Sequence, residues 1–148
     1  MVLNIIAAIS AKIDMEFGES YTIYTEPVEQ GFTKPCFFIL NLSEAVKNYI
    51  GGRYFISYRF QITCYPTDQE PNTQLSDISG RLHQILEFLV VEGRLLRGAE
   101  ITSKTQNNQL VFEISYGMFE VKQEEEVFME DIEVESKTTT GRERKGEF

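Results

Sequence analysis

The stretch from Arg53 to Tyr65 constrains this chain more than any other. Tyr54, Ile56, Tyr58, Phe60, Ile62 and Cys64 fall on one side of a two-residue period, and Arg53, Ser57, Arg59, Gln61 and Thr63 on the other, with Phe55 the exception. That pattern describes a β-strand with one buried and one semi-polar face, much longer than the usual ~5–6 residues. A strand of this length needs long partners beside it and an apolar layer over its buried face.

Both are legible elsewhere. From Asn4 to Phe17, the residues Ile5, Ile6, Ile9, Ile13 and Phe17 recur at helical spacing, and Gly18 stops the run. Gln74 to Val91 carries Leu75, Ile78, Leu82, Ile85, Leu86 and Leu89 and reads as a second amphipathic helix, reached through the polar loop Pro66 to Thr73. Tyr21 to Thr25 is a short strand. After a connection marked by Pro27, Gly31 and Pro35, the apolar run Cys36 to Leu42 reads as a central strand. Ser43 to Asn48 shows no decisive period. Gly51-Gly52 turns the chain into the long strand, giving one hairpin. Gly93 and Gly98 interrupt the next stretch, and Ala99 to Gln106 alternates weakly. Asn107-Asn108 is a tight turn before Leu110 to Val121, giving a second long hairpin. The predicted class is α+β: an antiparallel sheet of two long hairpins with both helices packed on one face. Ile5, Ile9, Ile13, Ile78, Leu82, Ile85 and Leu89 are expected against Tyr58, Phe60 and Ile62. The other face, with Phe55, Arg59, Val111 and Phe119 among polar neighbours, is either solvated or an interface.

The C-terminal part differs in kind. Glu120 to Glu135 holds eight acids against Lys122, with Val127, Phe128, Met129, Ile132 and Val134 embedded among them. Apolar residues guarded by acids are the mark of an edge strand or arm kept from random pairing. The expected organisation is one domain over 1–135, in which 123–135 is an acidic arm or edge strand, and a disordered tail over 136–148. The arm is expected to add to a neighbouring subunit.

Function classes narrow by exclusion. With 148 residues, 14 basic and 23 acidic side chains and a net charge of −9, the chain lacks the basic footprint of a nucleic-acid binder. No apolar run reaches the ~20 residues of a membrane span, and the apolar start reads as a helix rather than a signal peptide. Cys36 and Cys64 make neither a disulfide framework nor a four-ligand zinc site and are expected as buried free thiols. The one histidine, His83, sits at the edge of a helical stripe. No nucleophile elbow, phosphate loop, dinucleotide fingerprint or HExxH occurs. Glu124-Glu125-Glu126 reads as a solvated run rather than a cation site. No catalytic residue, metal or cofactor is predicted. The candidate subunit interface comprises Arg53, Phe55 and Arg59 on the long strand and Val127, Phe128, Met129 and Ile132 in the acidic segment. Arginines on one copy meeting acids on the next is a head-to-tail contact, and such contacts close into rings.

Several blocks together resemble a known family: "YTIYTEPVEQGFTKPCFFI", "GRYFISYRFQITCYP", "ISGRLHQILEFLVVEGRLLRGAEITSK" and "LVFEISYGMFEVKQEEEVFMEDIEVE". From about Val2 to Glu135 the chain looks like the phage tail terminator family of prophages and tail-like particles of Gram-positive, especially clostridial, bacteria. The resemblance implies a small α+β protein forming a hexameric ring. The ring would cap the head-proximal end of the tail tube, stop its polymerisation and meet the neck or connector protein, and the sheath if the tail contracts. It implies assembly in the host cytoplasm and residence in a virion tail or headless tail-like bacteriocin. DNA would then pass the ring without tight binding, along a neutral or acidic lumen for which Glu113, Glu120 and Glu124 are candidates. The alternative is another neck component, such as a connector adaptor or head-completion protein.

Overall fold

The computed structural model describes residues 1–28, 30–67 and 72–122. The elements in order are α1 (Val2–Phe17), β1 (Thr22–Tyr24), β2 (Cys36–Asn48), a 3-10 turn at Ile50–Gly52, β3 (Arg53–Tyr65), α2 (Asn72–Leu86), β4 (Phe88–Val91), β5 (Arg94–Gln106) and β6 (Gln109–Val121). The strands form one mixed sheet in the order β1-β2-β3-β6-β5-β4. β1 is parallel to β2, while β4–β5 and β5–β6 are antiparallel. β3 and β6 also run antiparallel, since Phe55 meets Phe119, Arg59 meets Ser115 and Gln61 meets Glu113. The α+β class, the hairpins and the two helices on one face agree with the sequence reading.

Contacts divide the chain into two units. The larger comprises Met1–Lys47 and Phe55–Phe119; the smaller comprises Asn48–Tyr54 and Glu120–Phe148, of which 48–54 and 120–122 are described. Within the smaller unit the Tyr49 amide donates to the Arg53 carbonyl at 2.7 Å and the Lys122 amide to the Gly52 carbonyl at 2.7 Å. Gly51 and Gly52 take φ 83° and 75° there, a region that strains residues with a Cβ.

The core of the larger unit lies between the helices and one sheet face. Ile5, Ile9, Ile13 and Phe17 of α1 and Leu75, Ile78, Leu82 and Leu86 of α2 are buried against Phe37, Ile39, Tyr58, Phe60, Ile62, Cys64, Leu110, Phe112, Ile114 and Tyr116. The strands alternate because their opposite face is open. The helices are joined at their rims by Arg81, whose Nε lies 2.8 Å from Glu16 Oε2 and whose guanidinium sits 4.3 Å from the Phe17 ring centre.

Three boundaries differ from the sequence reading. The second helix, expected over Gln74 to Val91, ends at Leu86, and Phe88–Val91 is strand β4. Leu89 is buried as expected, but from a strand. Glu92 and Gly93, with φ 53° and 78°, form the two-residue turn that folds β4 onto β5. Gly98 does not interrupt β5 but lies within it, and Ser43 to Asn48 continues β2.

The end of α2 explains Gly98. A Cβ there would overlap the Ile114 side chain and come within 3.2 Å of the Leu86 carbonyl oxygen. Helix ends leave carbonyls without intrahelical donors. Here the Gly98 amide donates to the Glu87 carbonyl at 2.7 Å, and the buried Tyr116 hydroxyl donates to the Leu86 carbonyl. The sheet thus caps the helix.

Candidate functional site

The open face of the sheet carries a polar cluster centred on Arg59. Its Nε lies 3.1 Å from Glu113 Oε1. Its Nη1 donates to Ser115 Oγ at 2.8 Å and to the Glu100 carbonyl at 3.0 Å. Its Nη2 reaches Thr102 Oγ1 at 3.4 Å. Gln61 Nε2 donates to Glu113 Oε2 at 3.3 Å, so both carboxylate oxygens are engaged. Asn41 adds a bond from its amide to the Arg59 carbonyl at 3.1 Å. The ladder runs from β2 through β3 and β6 to β5, and it forms because the period-two pattern puts residues 59, 61, 113 and 115 on the face away from the core. Arg59 and Glu113 side chains are 23% and 27% exposed, enough burial for the pair to tie strands together rather than drift in solvent. The irregularity between Ala99 and Thr102 in β5 aims the Glu100 carbonyl into this ladder.

Beside the ladder, Phe55 and Phe119 pair edge to face with ring centres 4.9 Å apart. Phe55 lies over Gly117, where a Cβ would overlap its ring. Phe119 is 49% exposed, and Leu42 and Val46 of β2 are 45% and 53% exposed. Near the other end of β2, Tyr24, Phe32, Phe38 and Tyr65 form an aromatic cluster with centre distances of 4.8 to 5.5 Å. Phe38 neighbours the core residue Phe37 and so faces the other way.

The residues singled out from sequence are therefore spread over several settings. Arg59 and Glu113, expected as interface and lumen residues, are bonded to each other within one chain. Phe55 is half-buried in the aromatic pair. Arg53 is exposed and Glu120 partly so, and each has interactions of its own. Val127, Phe128, Met129, Ile132 and Glu124, the arm over 123–135 and the tail over 136–148 lie outside the described residues. Sequence reasoning missed that Arg59 and Glu113 are partners. The signal was available: each is a lone charge of its strand's middle on the polar face, and the two strands need only be neighbours.

No catalytic geometry emerges among the described residues. His83 is exposed on α2. Cys36 and Cys64 are free and buried. Burial raises both thiols, Cys64 to about 12 with Cys36 nearby adding to the effect. Burial likewise raises the Tyr116 phenol. No group of three His, Cys, Asp or Glu residues converges on a metal position among the described residues. A cleft of about 210 Å³ at one end of the sheet is lined by Lys34, Tyr65, Pro66, Thr67, Asn107, Asn108 and Gln109. A larger cleft of about 360 Å³ lies between α1 and α2, lined by Lys12, Met15, Glu16, Gln84 and Ile85. No described helix is long and apolar enough to cross a membrane. The open face presents this polar ladder beside the Phe55–Phe119 pair.

No curated protein sequence matches this chain. One solved structure overlays on 85% of this chain and 99% of its own, at 13% identity and a TM-score of 0.40, a likeness too slight to carry an argument. The model of one family, described as phage tail terminator protein, matches residues 4–128, which takes in α1 from Asn4, all of α2 and every strand described above. The chain belongs to the phage tail terminator protein family and is a structural protein of phage tail assembly.

Proposed function

We propose that the protein forms a homomeric ring, of six copies, that caps the head-proximal end of the tail tube, ends its polymerisation and joins the tail to the neck. In a contractile tail the same ring meets the last layer of sheath. The observation that carries this reading is the family match across 4–128. The exposed apolar residues support it: Leu42 and Val46 of β2 and Phe119 of β6 are large side chains left in solvent, and apolar exposure marks protein contact.

The test has two readouts. In solution, light scattering should give six times the chain mass, alone or once tail tube is added, and rings should be visible by negative-stain microscopy. In assembling particles, loss of the protein should leave tubes of irregular, excessive length. Tubes of normal length without it, or labelled protein located only at the portal, would overturn the reading in favour of another neck role.

A further inference from the structure

α1 buries one side of itself and leaves a second apolar row outside. Ile5, Ile9, Ile13 and Phe17 are buried, whereas Leu3, Ala7, Ala11 and Met15, four apart throughout, are all exposed. Residues four apart stack along one side of a helix, so this row runs along α1 away from the core for about 18 Å. The two alanines at its centre let a flat apolar surface approach the helix backbone closely. Asp14 is exposed three residues after Ala11 and lies beside it. The last turn of α1 holds no basic residue. A carboxylate at the negative end of a helix dipole is poorly placed and gains from a cation brought against it. Arg81 of α2 does this for Glu16, but Asp14 points to the other side of the helix.

A surface with the complementary properties stands at the end of the sheet. β4 and β5 form a hairpin whose inner residues Leu89, Val91 and Leu96 belong to the core. By alternation Phe88, Val90, Leu95 and Arg97 face outward, and all four are exposed. Val90 lies opposite Leu95 and Phe88 opposite Arg97, so the three apolar side chains form one patch. The Arg97 guanidinium stands 5.9 Å from the Phe88 ring centre, with Glu87 Oε2 at 3.8 Å, and its side chain is 74% exposed. Within the chain, α1 covers the inner side of this hairpin, and Asn4 Nδ2 donates to Glu92 at the hairpin turn at 2.7 Å. The outer side of α1 and the outer face of the hairpin therefore point apart, and one chain cannot bring them together.

We infer that the outer side of α1 in one copy docks on the outer face of the β4–β5 hairpin in a second copy, with Ala11 over the Val90–Leu95 pair and Asp14 against Arg97. The hairpin then carries a helix on each face, its own inside and a neighbour's outside. Apolar burial supplies the affinity, and the charge pair fixes which end of the helix lies over Phe88. The two surfaces differ, so the contact is heterologous and passes from copy to copy, as a closed ring requires. This inference rests on the ring reading and names the surfaces by which neighbouring copies meet.

The experiment uses the full chain. Asp14→Arg and Arg97→Glu each bring like charges together, and each is expected to raise the concentration at which copies associate several-fold by light scattering. The two substitutions in one chain reverse the pair and are expected to restore association. Unchanged association in both single variants, or no restoration in the double variant, would overturn the inference. Oxidative trapping is the second readout. Chains with Ala11→Cys are mixed with chains carrying Val90→Cys or Leu95→Cys and, as a control, with chains carrying Val46→Cys, an exposed apolar position outside both surfaces. Cys36 and Cys64 are fully buried and stay out of the reaction. A disulfide between differently substituted chains is expected with position 90 or 95 and not with position 46; none, or equal trapping at 46, would overturn the contact. Rings of the unsubstituted chain without this preference leave the ring reading standing and remove this one, whereas the preference in particles that show no ring does the reverse.

Discussion

At the residue scale, Arg59 does the most varied work of any side chain in the larger unit. Its guanidinium spans from Glu113 and Ser115 on β6 to Glu100 and Thr102 on β5. Arg59→Ala leaves the Glu113 carboxylate with Gln61 alone and should cost about 1–3 kcal/mol, read as a lower urea midpoint at unchanged slope. Arg59→Lys should recover less than half of that, because an ammonium lacks the planar fork that bonds in several directions at once. A double-mutant cycle with Glu113→Gln should show coupling between the two sites; additive losses would show that the ion pair contributes nothing of its own. The cysteines act differently. The Cys64 thiol is raised in the folded state from 9.0 to about 12, so the folded state holds a proton that the unfolded state releases above pH 9. Its contribution is fully present below that pH and is lost as pH rises toward 12, and the raised Tyr116 phenol acts in the same direction at higher pH. Urea midpoints should fall over that range, and Cys64→Ala should flatten the lower part of the fall. Burial of both cysteines was legible from an apolar, alternating setting. The partnership of Arg59 and Glu113 was not, because strand order is not written in the period of either strand.

At the element scale, the long strands and α1 were readable because each keeps one period from end to end. The end of α2 was not. Leu82, Ile85, Leu86 and Leu89 continue a helical spacing, yet the chain switches to strand at Phe88, where Leu89 and Val91 point inward at a period of two. Three to four residues of apolar sequence satisfy both periods, and burial rewards Leu89 equally in either. The deciding signal is the turn that follows, since Glu92-Gly93 adopts the paired positive φ of a two-residue hairpin. The join between α2 and the sheet gives two predictions. Leu82 is fully buried, and Leu82→Ala should cost roughly 2–5 kcal/mol. Gly98→Ala pushes a methyl into Ile114 and the Leu86 carbonyl and should cost about 1–3 kcal/mol. Pairing it with Ile114→Val should recover part of the loss, and a Gly98→Ala protein as stable as the original would show that α2 does not sit so close to β5.

At the scale of the whole molecule, composition excluded more than it identified. The net charge of −9 predicts that the protein, as monomer or ring, does not retain duplex DNA in a mobility-shift assay at about 150 mM salt, since counterion release needs basic contacts. Retention that weakens steeply with salt would reveal a basic lining. The family was legible from blocks spread over the chain, whereas its assembly partners were not, because surfaces that meet other proteins keep no period and no motif. The position of β6 has a consequence for how the protein is made. It is the last described strand in the chain, yet it sits in the middle of the sheet between β3 and β5. A ribosome-bound chain lacking β6 therefore holds two separated half-sheets, and the pairing of Arg59 with Glu113 waits on residues 54 positions later. A growing polypeptide cannot display the finished open face until synthesis has passed Val121, so an unfinished subunit has no complete face to offer a partner.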